Sequence, residues 1–254
     1  MPSRFRTWQA FSARVALLKP KAMFLSVGAL VLVSFCVCSQ AALSVTGTRF
    51  VYPGQSKTLT VRLGNSGEQP ILAQTWLDKG DPRIDPSLLT VPFVVSAPLV
   101  RLDPQQTKAL QLRYTGEALP GDRESLFWIN FLEVPRLPDS SGHLLRLSYR
   151  LRMKLLFRPP GLPGSAETAA RHVVWKLSAG RVLSAENPSP FYVSITALRQ
   201  GAMNLTPVAR NITVDPFGTA SVALPEGRDS SFVEYDFVDD SGETVSVRAS
   251  LHKD

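Results

Sequence analysis

The sequence predicts an all-β fold made of two immunoglobulin-like β-sandwich domains. Three observations support this prediction: short runs of alternating apolar and polar residues, turn signals between those runs, and no convincing amphipathic helix after residue 42. The 20 prolines agree with it, because proline suits turns and sheet edges and ends helices. A chain of 254 residues is long enough for two domains of this class.

The N-terminus has the features of a secretory signal. Basic residues come first, an apolar run covers 22–38, and the small residues Ser39 and Ala41 then stand at the −3 and −1 positions of a cut after Ala41. A membrane anchor is the alternative, but this run is shorter than the ~20 residues that span a bilayer. We therefore expect residues 1–41 to be a cleaved signal peptide, leaving an exported protein that is not attached to the membrane.

The cysteines and the charge also depend on this segment. Both cysteines, Cys36 and Cys38, lie inside it, so the mature chain has no disulfide and relies on its packed core. The formal net charge is +7, but five positive charges and no acid precede residue 42, so only +2 remains for the rest. Phosphate binding needs clustered cations on the folded domain. We expect no nucleic-acid partner.

Alternating runs past residue 42 predict the individual strands. In the first half, Leu59, Val61 and Leu63 alternate with polar residues over 56–63, and the same pattern recurs over 108–114. Proline and glycine crowd residues 157–167, which is typical of an interdomain joint. The prediction is an N-terminal domain over 42–158 and a C-terminal domain over 159–254, the latter with shorter apolar runs at 172–178, 191–198, 212–217 and 232–240.

Signals for catalysis or metal binding are weak. The histidines are isolated in sequence, and no motif of a hydrolase, metalloprotease or nucleotide-binding loop is found. The close acids Asp81 and Asp85, like Asp239 and Asp240, lie beside turn residues, where aspartate is common. We predict no catalytic residue, no metal site, no cofactor and no enzymatic activity.

One predicted strand is unusually long. HLLRLSYRLRMKLLFRPP (143–160) alternates over more than twice the ~5–6 residues of a mean strand. From Leu151 to Phe157 the apolar row fits burial in its own domain, whereas Leu145, Leu147 and Tyr149 follow a polar loop and should project beyond the sheet. An exposed apolar strand invites pairing. It therefore predicts β-strand addition to a partner protein, and self-association when the protein is free.

Several motifs together resemble a known family. They are GDRESLFWIN (121–130), MKLLFRP (153–159), GTRFVYP (47–53), PLVRLDP (98–104), YTGEALP (114–120) and NPSPFYV (187–193). The mature chain resembles the periplasmic pilus chaperones of the chaperone–usher pathway, the PapD-like family, in its short-loop subgroup. The resemblance implies two domains in an L or boomerang arrangement and a Gram-negative periplasmic protein. It also implies that the protein binds, folds and caps pilus subunits and delivers them to an outer-membrane usher.

The resemblance also implies roles for individual residues. Arg49 and Lys154 correspond to the cations that hold the C-terminal carboxylate of a pilus subunit. The strand that completes the subunit's fold, by donor-strand complementation, corresponds to Leu145, Leu147, Tyr149 and Leu151. Tyr149 is larger than the aliphatic residue expected there.

A third group implied by the resemblance is an interdomain salt bridge. Its members correspond to Glu124, Arg158 and Asp240, with Asp239 as the alternative acid. The competing interpretation of the whole sequence is an extracytoplasmic immunoglobulin-like structural or adhesive subunit. That class would need a donor extension or a pilin-like disulfide, and neither is apparent. A secreted β-sandwich hydrolase is disfavoured for want of a catalytic set.

Overall fold

The computed structural model describes residues 42–135, 148–178, 180–201, 203–205, 211–225 and 230–253. The predicted fold class is confirmed, because these residues form two β-sandwiches. The described part of the first sandwich has strands β1 (Leu43–Val45), β2 (Arg49–Pro53), β3 (Leu59–Asn65), β4 (Ile71–Asp78), β5 (Phe93–Val95), β6 (Leu99–Leu102), β7 (Thr107–Tyr114), β8 (Ser125–Pro135) and β9 (Arg150–Arg158).

The first sandwich packs a sheet of order β1-β3-β7-β5 against one of order β2-β9-β8-β4-β6. Alternation explains its core, because side chains two residues apart share one face of a strand. Val61 and Leu63 on β3 and Leu110 and Leu112 on β7 are all buried there. A 3₁₀ turn, Pro86–Leu88, lies between β4 and β5.

The described part of the second sandwich contains eight strands. They are β10 (Val174–Leu177), β11 (Val182–Glu186), β12 (Val193–Gln200), β13 (Met203–Asn204), β14 (Ile212–Val214), β15 (Thr219–Ala223), β16 (Phe232–Val238) and β17 (Thr244–Lys253). Their order is β13-β12-β16-β17-β10-β11-β15, with β14 also paired to β12. Trp175 and Tyr235 pack in the centre of this core, with ring centroids 5.3 Å apart.

One short helix, α1 (Ala166–Arg171), follows the predicted joint. Ser165 caps it by accepting a hydrogen bond from the Thr168 amide at 3.1 Å. Ala169 and Ala170 are buried, and the Tyr235 hydroxyl donates to the Ala170 carbonyl at 2.7 Å. The helix therefore belongs to the second core. No described helix has the length and apolar character needed to cross a membrane.

The two sandwiches meet along the face of β9 that points away from the first core. Leu155 and Phe157 are in that core, whereas Lys154 and Arg158 contact residues of the second sandwich. Gly242, at φ +89°, lies against Thr48 so closely that an added Cβ would overlap the threonine hydroxyl. This close approach requires a glycine, since both its backbone conformation and the space exclude a side chain.

Candidate functional site

The residues Arg49 and Lys154, 105 positions apart in sequence, are neighbours in the sheet. Strands β2 and β9 pair in parallel, and their register sets Arg49 opposite Lys154. Parallel pairing with this register points both side chains to the same face of the sheet. Two cations therefore stand side by side on the face that meets the second sandwich.

Lys154 is held by two hydroxyl groups of the second sandwich. Its Nζ donates to Ser194 Oγ at 2.7 Å, on β12, and to Thr213 Oγ1 at 2.6 Å, on β14. Burial, and to a smaller extent the nearby Arg49 charge, lower the pKa of Lys154 to about 8, against a smaller opposing effect of Asp215. The ammonium is thus fixed in position and has lost much of its hydration.

Arg49 is fixed by a backbone group. Its Nη1 donates to the Val238 carbonyl at 2.6 Å, at the end of β16. Burial lowers the pKa of Arg49, while the charges of Asp240, Glu124 and Asp239 oppose this effect. Neither Arg49 nor Lys154 forms a salt bridge with any acid of the described residues. Two half-buried cations without an anion are costly to keep together.

A cavity of about 330 Å³ opens beside these two cations. Its wall includes Arg49, Lys154, Thr48, Ser194, Thr213 and the ring of Trp128. An ammonium and a guanidinium fixed on one wall can donate charge-assisted hydrogen bonds to a single carboxylate. The chemistry of the site therefore favours a ligand with an anionic end.

A larger cavity, about 480 Å³, lies near the joint between the sandwiches and is lined in part by Arg158 and Asp240. Its arginine is already paired. Arg158 Nε donates to Glu124 Oε1 at 2.7 Å, and its two terminal nitrogens donate to the Asp240 carboxylate at 2.7 and 3.0 Å. This cavity thus offers a weaker site for an anion than the one beside Arg49 and Lys154.

The three residues Glu124, Arg158 and Asp240 link the two sandwiches. Glu124 is buried, and its second oxygen accepts from the Tyr192 amide at 2.7 Å. Burial raises the pKa of Glu124. Burial alone would lower the pKa of Arg158, but its hydrogen bonds with Asp240 and Glu124 outweigh that effect and raise it. Asp239 instead accepts from Ser241 and Glu243 within its own turn, so the acid on Arg158 is Asp240.

The long apolar row lies only partly within the described residues. Leu145 and Leu147 fall in 136–147, outside them. Tyr149 is half-buried, and its carbonyl accepts from the Glu133 amide at 2.9 Å, just before β9 begins. Leu151 and Met153 pack against the first core while remaining partly accessible. Leu151 thus contacts its own domain, as expected for residues 151–157.

Sequence reasoning missed the hydroxyls that hold Lys154 and the aromatic wall of the cavity. Ser194 and Thr213 carry no local motif of their own, since only the contact between the sandwiches brings them to Lys154. Trp128 had a visible signal in the motif GDRESLFWIN. The Arg152 guanidinium lies 4.1 Å from the Trp128 ring centroid and is itself paired with the buried Asp78 at 2.6 Å.

Two family models and several known proteins match nearly the whole described chain. The family described as pili and flagellar-assembly chaperone, PapD N-terminal domain, matches residues 42–163, and the PapD C-terminal domain of pili assembly chaperones matches 168–249. The chaperone protein FimB/FhaD of Bordetella pertussis is 34% identical over 232 residues, covering 89% of this chain and 95% of that protein.

Solved structures give the same result. The CupB2 chaperone of Pseudomonas aeruginosa matches with a TM-score of 0.70 and 34% identity, over 82% of this chain and 100% of that one. The structure of the Salmonella enterica SafA pilin in complex with the SafB chaperone matches with a TM-score of 0.74 and 27% identity, over 85% and 99% of the two chains.

Proposed function

The chain belongs to the PapD-like family of pilus-assembly chaperones, and we propose that Arg49 and Lys154 together bind the C-terminal carboxylate of a pilus subunit. It is therefore a fimbrial chaperone. A carboxylate at the end of a chain can be gripped from two sides by charge-assisted hydrogen bonds. Gripping the last residue sets the register of every residue upstream, so the subunit aligns along β9.

One observation carries this proposal above the others. Arg49 and Lys154 are adjacent, held by neutral groups, and without an acidic partner in the described residues, next to a cavity. Desolvated like charges on adjacent strands destabilise the free protein. An incoming carboxylate would relieve that cost, so binding energy is concentrated at this point.

The strand ahead of Lys154 would complete the subunit's fold. We propose that Leu145, Leu147 and Tyr149 fill the subunit's open groove, each large side chain contributing ~1.5–3 kcal/mol when buried, and that Leu151 continues the row at the junction. Backbone hydrogen bonds of the added strand would supply further affinity. The partly accessible Leu151, packed at the rim of its own core, supports a junction at this position.

The cellular setting is proposed on the same basis. Relatives in this family include fimbrial chaperones, and the resemblance to the periplasmic pilus chaperones implies the periplasm of a Gram-negative bacterium. We propose that residues 1–41 are the signal peptide, that domains cover 42–158 and 159–254, and that the protein hands its subunit to an outer-membrane usher. The family is one of chaperones, and we propose that this member acts without catalysis or cofactor.

The test is recovery of soluble subunit from the periplasm. The protein is co-expressed with a pilin of the bacterium from which it comes, and the complex is isolated and quantified. Arg49→Glu and Lys154→Glu should each abolish recovery, because an added carboxylate repels the subunit's own. Arg62→Glu and Lys57→Glu, at exposed positions of the same domain, are matched charge reversals that should leave recovery unchanged.

The second candidate, a structural or adhesive subunit, predicts a different result. Such a protein would polymerise or reach the cell surface, and both charge reversals would behave like their controls. Unchanged recovery with Arg49→Glu and Lys154→Glu, in proteins that fold as judged by circular dichroism, would reject the carboxylate anchor.

A further inference from the structure

A buried carboxylate outside the proposed anchor has no assigned role. Glu133 lies on β8 in the alternating row of Phe127, Ile129 and Phe131, all of which are in the first core. Only 6% of Glu133 is exposed. No lysine, arginine or histidine of the described chain forms an ion pair with it. A buried carboxylate without a cation is unfavourable, so its position calls for a partner.

The group that Glu133 does contact is the start of β1. Its Oε2 accepts a hydrogen bond from the Leu43 amide at 2.8 Å. Covalent geometry limits the distance between successive backbone nitrogens to about 3.7 Å, so the Ala42 nitrogen lies within about 6.5 Å of the same oxygen. An ammonium at Ala42 would thus stand within about 6.5 Å of the buried carboxylate, a range over which opposite charges attract strongly where water is excluded.

Ala42 is itself held firmly at this place. Its carbonyl accepts from the Ser66 amide at 2.8 Å and from Ser66 Oγ at 3.1 Å. A Cβ on Gly67 would come within 2.7 Å of the Ala42 Cβ, so a glycine is needed for the alanine to fit. Ala42, which the proposed cleavage would make the first residue, is therefore fixed by its contacts with Ser66 and Gly67.

We propose that cleavage after Ala41 creates an α-ammonium at Ala42 that binds Glu133, so that removal of the signal completes the first domain. This inference rests on the proposed cleavage position and not on the proposed carboxylate anchor. Before cleavage the Ala42 nitrogen is a neutral amide, and within the described residues the donor to the Glu133 side chain is the Leu43 amide. After cleavage the same nitrogen carries a positive charge beside a buried negative one.

The ion pair of Ala42 with Glu133 would also stabilise the segment where the proposed donor strand enters β9. The Glu133 amide donates to the Tyr149 carbonyl at 2.9 Å, where the chain enters β9. Glu133 thus joins the chain start through its side chain and the donor strand through its backbone. Processing of the N-terminus and the placement of the strand lent to the subunit would be linked through this one residue.

A comparison of four proteins tests the proposal. Two begin at Ala42, with Glu or Gln at position 133, and two carry Gly-Ser ahead of Ala42 with the same pair of residues. Gln keeps the size of the side chain and an oxygen to accept from Leu43. We expect Glu133→Gln to lower the Tm by about 2–4 °C more in the Ala42-first protein than in the extended one.

Glu117→Gln, at an exposed position of the same domain, is the control and should show no dependence on the N-terminus. Equal effects of Glu133→Gln in both backgrounds would overturn the proposal and leave Glu133 as an acceptor for the Leu43 amide alone. An intact mass of the periplasmic protein that places its start away from Ala42 would overturn it too. Failure of the carboxylate anchor would instead appear in subunit recovery with Arg49→Glu, which this Tm comparison does not involve.

Discussion

At the scale of single residues, Lys154 combines two requirements that oppose each other. Burial would strengthen its proposed hydrogen bonds to a carboxylate, yet burial and the neighbouring Arg49 lower its pKa to about 8. The hydroxyls of Ser194 and Thr213 accept hydrogen bonds from its ammonium without adding negative charge. The ammonium is therefore kept in place while its charge stays available to a ligand.

This pKa predicts how binding depends on pH. Below pH 8 the ammonium is charged in the free protein, and affinity for a carboxylate is full. Above pH 8 the lysine must regain a proton to bind, so affinity should fall by up to about tenfold per pH unit until the pKa of the complex is reached. Isothermal titration between pH 7 and 9.5, with a peptide of a pilin's C-terminal residues, measures this.

Lys154→Arg provides the control, because a guanidinium keeps its charge over this range. The variant should bind with an affinity that changes little from pH 7 to 9.5. If wild type and variant lose affinity in parallel, Lys154 is not the group that titrates.

At the scale of elements, burial in the first core decreases from the end of β9 towards its start. Leu155 and Phe157 are fully packed, Leu151 and Met153 are at the rim of the core, and Tyr149 precedes the strand. The same alternating sequence can therefore serve two cores in succession. Substitutions from Leu151 onwards should therefore affect mainly the stability of the protein, and those before Leu151 mainly the binding of the subunit.

Leu151→Ala should lower the free energy of unfolding by about 2 kcal/mol, because it leaves a gap at the rim of the first core. Tyr149→Ser should have a smaller effect on unfolding but should reduce subunit recovery more. Chemical denaturation and periplasmic co-expression measure the two effects. Val94→Ser, at an exposed site on β5, controls for loss of an apolar surface residue. If Tyr149→Ser lowers stability more than Leu151→Ala, and Leu151→Ala reduces subunit recovery more, the two residues do not have these separate roles.

The sequence predicts the elements where one face of a strand is buried, as for β3 and β7, because burial of one face leaves a period of two. It does not predict α1, since six residues with two buried alanines leave little periodic signal. The adjacency of Arg49 and Lys154 also has no local signal, because it depends on parallel pairing of distant strands. Only the resemblance of the two motifs to a family pointed to that pair.

At the scale of the whole molecule, the position of one sandwich against the other determines the candidate site. The two hydroxyls that accept hydrogen bonds from Lys154 and the carbonyl that accepts one from Arg49 all belong to the second sandwich. Arg158 joins the two through Glu124 and Asp240. A change in the contact between the sandwiches should therefore shift the positions of Arg49 and Lys154, even when neither residue is substituted.

Arg158→Ala should cost about 3 kcal/mol in the free energy of unfolding, because it leaves the buried Glu124 carboxylate unpaired. Asp240→Asn should cost at most about 1 kcal/mol, since Asp240 is substantially exposed. Urea denaturation measures both. Arg101→Ala, which removes an exposed ion pair with Asp103, is the matched control. If the Arg158→Ala protein is no less stable than this control, the ion pair of Arg158 with Glu124 does not hold the sandwiches together.

Binding of a carboxylate by the two fixed cations is tested most directly by one comparison of peptides. A peptide of a pilin's C-terminal residues is prepared as the free acid and as the C-terminal amide, and both are titrated into wild type and into Arg49→Ala/Lys154→Ala. We predict that wild type binds the acid at least about tenfold more tightly than the amide, and that the double variant binds the two alike. Equal binding of acid and amide by wild type would contradict the account.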